Sequence, residues 1–81
     1  MTPQPTARGA AIRNRAAAHG IDISHRDGAD QLAARLGVHT ATVYRALNGT
    51  TMPGGRFAAG YAAAFGADAL ADLYPAAERA A

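Results

Sequence analysis

The sequence predicts an all-α fold of five short helices around one small-residue core, and three observations lead there. Of the 81 residues 40 are apolar, and 23 of those are Ala, the best helix former and too small for the faces of a sandwich or barrel. Apolar side chains recur three and four apart in Leu32, Ala33 and Leu36, in Val43, Ala46 and Leu47, and in Phe57, Tyr61 and Phe65, which is helical spacing. Gly20, Gly37, Gly49 and Gly66 stand at the ends of these runs, where helices stop. A chain this short supports one core.

The segment 1–6 holds two prolines and little to bury, so it reads as a disordered arm. From Thr6 or Ala7 to His19 an Ala-rich run without proline places Ile12 and Ala16 four apart, and Gly20 follows as its stop. This is the first helix. Ile21 to Asp27 mixes polar residues with Ile21 and Ile23 and ends in Asp27-Gly28, a loop whose isoleucines are expected to tuck inward. Ser24 to Asp27 matches a capping-box spacing, but the following Gly28 makes Asp27 the expected N-cap of the second helix. That helix runs to Gly37, and a third begins after His39 and ends at Asn48-Gly49. Residues 48–55 are a loop by their turn residues, Arg56 to Phe65 form a fourth helix, and Ala67 to Tyr74 a last one with Leu70, Leu73 and Tyr74 on one face before Pro75. The domain is expected over 7–75, with a tail at 76–81.

The net charge of +2 is unevenly distributed, because residues 1–60 carry seven Arg against Asp22, Asp27 and Asp30 (+4), while residues 61–81 sum to −2. A basic front portion fits a polyanionic partner as well as a solvated surface. The absence of Cys excludes a disulfide framework and thiolate metal sites. No apolar stretch approaches the roughly 20 residues of a membrane span, and the Pro-rich start does not read as a signal peptide. The expectation is a cytoplasmic, nucleoid-associated protein without membrane contact. The initial Met and the Ala-rich end fit a complete small protein.

The informative segment is Gln31 to Gly49. Two short helices that meet at a sharp angle need a small residue at closest approach (Ala33) and one tolerant of left-handed backbone at the corner (Gly37). They also need apolar wedges from both sides, here Leu32, Leu36, Val38, Val43 and Leu47. The spacing Ala-x3-Gly-x5-Val meets these needs in register and points to a helix-turn-helix; an αα-hairpin of an unrelated bundle is the plain alternative.

The run Leu-Ala-x-x-Leu-Gly-Val-x-x-x-Thr-Val-x-Arg-x-Leu-Asn-Gly, followed by Thr-x-x-Pro and a Phe-bearing helix, resembles the Cro/C1-type (phage repressor-like, XRE) helix-turn-helix family over residues 8–74. The resemblance implies a lambda-repressor-like five-helix DNA-binding domain, docking as a dimer on a palindromic operator with its third helix in the major groove. A LacI-type headpiece is the minor alternative for residues 32–48. The sequence departs from the family pattern in a passage from first to second helix about six residues longer than usual. Ala29 stands where the family often has a phosphate-gripping Gln, with Gln31 displaced inward, and Ala16 and Leu47 occupy positions often held by an Arg–acid pair.

With Val43 and Leu47 turned inward, Ala41, Tyr44, Arg45 and Asn48 share the outward face of the third helix, with Thr40 beside them. Arg45 suits guanine O6 and N7, Thr40 a base edge or phosphate, and the Ala41 methyl a thymine methyl. Thr40, Ala41, Tyr44 and Arg45 are therefore the expected base readers. Gln31, His39, Thr42, Asn48, Thr51 and Arg56 are the expected phosphate contacts; the resemblance places Arg56 there, after the Gly-rich loop. Each has a plainer role: Arg45 as a solvated cation, Tyr44 packed on Leu47, His39 as a cap, Asn48 and Thr51 as turn residues. Phe57, Tyr61, Phe65, Leu70 and Leu73 read as core.

Against an enzyme stands the lack of convergent polar groups. The nearest cluster, Asp22-Ser24-His25-Asp27, is too compressed for a catalytic relay and too thin for a metal. No catalysis, metal or cofactor is expected. The reading is a transcriptional regulator, a repressor by resemblance, binding operator DNA as a homodimer; the rival is a helix-turn-helix used for protein contact, as in an adaptor or antitoxin.

Overall fold

The computed structural model describes residues 6–49 and 53–74. Thr51, Pro75, the tail 76–81 and all of the arm except Thr6 lie outside the described residues. Four α-helices, α1 (Ala7–Ala18), α2 (Arg26–Leu36), α3 (Thr40–Asn48) and α4 (Gly55–Phe65), precede a 3-10 helix, Ala67–Leu73. There is no strand among the described residues. The radius of gyration, 11.6 Å, is close to the about 11.7 Å expected of one close-packed domain of this length.

Thr6 caps α1 with its hydroxyl, which accepts from the Gly9 N–H at 2.8 Å and donates to the Leu47 carbonyl at 3.2 Å. One side chain thus starts α1 and ties it to the C-terminal end of α3. At Gly9 a Cβ would lie 2.4 Å from the Leu47 carbonyl oxygen, so the two helices meet backbone to backbone. At the other end of α1 the Gly20 N–H bonds the Ala17 carbonyl at 3.0 Å and the Ile21 N–H the Ala16 carbonyl at 2.9 Å, a Schellman closure that needs the φ of +80° at Gly20. It delivers Ile21 to the core, and Ile23 follows.

The start of α2 corrects the sequence reading. The helix begins at Arg26, after an extended His25 that makes no side-chain cap bond, and Asp27 lies within its first turn. Ser24 does not form the capping box: its backbone N–H and hydroxyl both donate to the Asp22 carboxylate. Gly28 lies inside the helix, and the 22–23 backbone crosses it so closely that a Cβ there would fall 1.7 Å from the Asp22 carbonyl oxygen. A signal that reads locally as a turn is in fact a point of tertiary contact.

The same closure as at Gly20 recurs at the α2–α3 corner. Gly37 sits at φ +72°, ψ +33°; its N–H bonds the Ala34 carbonyl at 3.3 Å and the Val38 N–H the Ala33 carbonyl at 3.0 Å. The corner thereby reverses the chain while leaving few backbone groups unpaired. Ile12, Ala16, Leu32, Leu36, Val43, Leu47, Phe57, Tyr61 and Leu73 fill one continuous core. Ala16 and Leu47 are both buried in it.

The last helix is 3-10 where the sequence reading had no reason to separate it from α. Its ends use three-residue bonds, Ala69 N–H to Gly66 carbonyl at 3.0 Å and Tyr74 N–H to Ala71 carbonyl at 3.3 Å. Leu73 is wholly buried, while Leu70 and Tyr74 are partly exposed. The segment is pinned by side chains from far away in sequence. The buried Arg8 guanidinium donates from Nε to the Leu73 carbonyl at 2.8 Å. Asp72 accepts from Arg15 Nε at 2.8 Å and from the Tyr61 hydroxyl at 2.9 Å. Burial, then the Asp72 carboxylate, pushes the Tyr61 phenol well above its ordinary range.

Candidate nucleic-acid interface

An extended His39 leads into α3, and the helix then divides into two faces. Val43, Ala46 and Leu47 are buried, whereas Ala41, Tyr44, Arg45 and Asn48 are exposed and Thr40 and Thr42 half-buried. Tyr44, at 38% exposure, is the one large apolar side chain left in solvent among the described residues. The division follows from the sequence, since positions 43, 46 and 47 point one way and 41, 44, 45 and 48 the other. Gly49, at φ +72°, ends the helix directly after Asn48.

A groove of about 340 Å³ runs beside this face, lined by Gly37, Val38, His39, Thr42, Gly54, Arg56 and Phe57. It gathers three of the expected phosphate contacts: His39 from just before α3, Thr42 from α3 and Arg56 from α4. The buried Phe57 holds the first turn of α4 in place, so its exposed neighbour Arg56 stays at the groove edge. Neither α3 nor α4 has a side-chain cap at its start, which leaves first-turn N–H groups without a side-chain partner there.

Two expected contacts stand apart from the groove. Gln31 is exposed on α2 but lies in mid-helix, because the helix begins at Arg26 and carries no Gln in its first turn. Asn48 closes α3 at the end opposite His39.

Thr40 has a partner on the neighbouring helix. Its hydroxyl donates to the Asp30 carboxylate of α2 at 2.6 Å. Nothing local marks Asp30 as a partner of Thr40: it lies ten residues earlier and joins Thr40 only once α2 folds back across the start of α3. An acid beside the N-terminus of α3 also favours the helix through its dipole. The Asp22 cluster is an exposed loop, with the Asp22 carboxyl held below its ordinary range by the Ser24 hydroxyl and then the Ser24 N–H, and with His25 Nε2 at 3.9 Å.

Compared with models of known families, with curated proteins and with solved structures, the chain matches none. No helix among the described residues is long and apolar enough to cross a membrane.

Proposed function

We propose that this chain is a DNA-binding transcriptional regulator of the Cro/C1 type, acting as a repressor, which lays α3 in the major groove of a double-stranded operator. The observation that carries the reading is the pairing of an exposed α3 face with a groove at its edge, Tyr44 and Arg45 on the first and the polar side chains of His39, Thr42 and Arg56 on the second. An α-helix fits the major groove, where Arg pairs with guanine and small methyl-bearing residues meet thymine. Flanking cations and helix N-termini suit phosphate, which fixes register without reading sequence. The corner at Gly37 and the Thr6–Leu47 tie hold α3 rigidly against the rest of the domain, as groove insertion requires.

One module of this size makes few contacts, so binding is as a homodimer on two half-sites about one helical turn apart. The last helix offers Leu70 and Tyr74 to a partner, since Leu73 is spent in the core. The protein resides with the nucleoid and needs no cofactor.

The test is selection of duplexes from a random library, followed by gel-shift titration with competitor DNA and mass determination of the complex. Enrichment of an inverted repeat bound by two chains is the expected result. A chain that enriches no sequence, and instead binds a protein partner with the same α3 face, would establish the adaptor reading.

A further inference from the structure

We infer that Thr40 reads DNA as a hydrogen-bond acceptor only, selecting one base that presents an exocyclic amino group, adenine or cytosine, in each half-site. The inference rests on the DNA-binding reading above and names a specificity device within it. A threonine hydroxyl has one proton and two lone pairs. Here the proton is committed, because an ionised carboxylate is purely an acceptor and Thr40 Oγ1 lies 2.6 Å from Asp30 Oδ1. What Thr40 has left for a ligand is lone pairs.

Position makes those lone pairs relevant. Thr40 is the first residue of α3 and lies one turn before Tyr44, so it borders the exposed face of Ala41, Tyr44 and Arg45. In the major groove adenine N6 and cytosine N4 are donors, whereas guanine O6 and N7 and thymine O4 are acceptors. An acceptor-only Thr40 discriminates the first pair from the second. The charge of Asp30 acts in the same direction, attracting an amino group and repelling a phosphate oxygen from this corner. Thr40 is thereby separated from the phosphate-facing group of His39, Thr42 and Arg56 at the neighbouring groove.

The experiment compares the wild-type 81-residue chain with T40V, T40S, D30A and the double variant D30A/T40V, each checked by thermal melting and assayed by sequencing of duplexes enriched from a random library. Wild type should favour an amino-bearing base at one position per half-site by about threefold to tenfold, the worth of one such hydrogen bond. T40S keeps this preference and T40V erases it. D30A frees the hydroxyl to rotate, so carbonyl-bearing bases are accepted about equally at that position, while affinity for all sequences rises together through loss of a negative charge. The double variant matches T40V at that position. An unchanged base profile in D30A overturns the inference, as does a preference that survives in T40V. A wild-type chain that enriches nothing is a different result: it removes the DNA-binding reading and this inference with it.

Discussion

Replacing Gly60 by Ala inverts an ordinary rule. In mid-helix such a change adds helix propensity and normally stabilises by about 1 kcal/mol. Gly60, however, lies where α4 crosses the end of α2, and a Cβ there would sit 2.1 Å from the Leu36 carbonyl oxygen, 3.0 Å from its carbonyl carbon and 3.2 Å from its Cα. Ordinary contact begins near 3.4 Å, so the helices must move apart by about 1.3 Å. The obstacle is backbone on both sides, and no side-chain rotation relieves it. Overpacking of this kind costs about 3 kcal/mol at the upper end of its usual range, which leaves a net loss of about 2 kcal/mol after the propensity gain. For a domain this small that lowers Tm by about 8–16 °C. Gly55→Ala is the control, since it lies in the same helix with nothing within 4 Å of its Cβ, and it should melt at or above the wild-type temperature. Urea and thermal unfolding followed by circular dichroism decide the matter. A Gly60→Ala variant as stable as Gly55→Ala would refute the close approach of α4 to the α2 corner, and with it the geometry that brings Arg56 beside His39.

Other substitutions probe the corner, the buried tie and the interface. At Gly37 nothing lies within 4 Å of a Cβ but φ is +72°, so Gly37→Val should cost about 2 kcal/mol from backbone strain alone, with Gly37→Asn milder in the same melting series. Tyr61→Phe should lose about 1–2 kcal/mol with the hydrogen bond to Asp72. Because the folded phenol titrates above its unfolded value of about 10, wild-type stability should be full below about pH 10 and fall as pH rises further. The Tyr61→Phe variant should lose that part of the alkaline slope in pH-dependent urea unfolding. For DNA binding, Arg45→Ala should cost about 1–3 kcal/mol on the best site and relax one base pair per half-site, whereas Arg56→Ala should weaken all sequences alike and shrink the salt slope by about one unit per protomer. Titrations of single-base operator variants at two salt concentrations check both, and the opposite pattern would exchange the two roles.

Where helices stop and which way α3 faces are legible in the order of residues alone. Gly20, Gly37 and Gly49 adopt positive φ at the helix ends read for them, because the left-handed backbone of a helix stop is a local demand that glycine meets at least cost. Val43, Ala46 and Leu47 turn inward and Tyr44 and Arg45 outward, because helical periodicity is likewise local. Other features come from contacts between distant parts of the chain. Gly28 reads as a turn residue, yet it lies inside α2 and is a glycine because the Asp22 backbone occupies the space of a side chain. Asp72 reads as a surface acid, yet it joins Arg15 and Tyr61 from 57 and 11 residues away. Thr40 reads as a free hydroxyl until α2 lays Asp30 against it. Such contacts join groups whose neighbours along the chain carry no trace of the partner, so their chemistry is set by packing and by where the folded backbone brings them together.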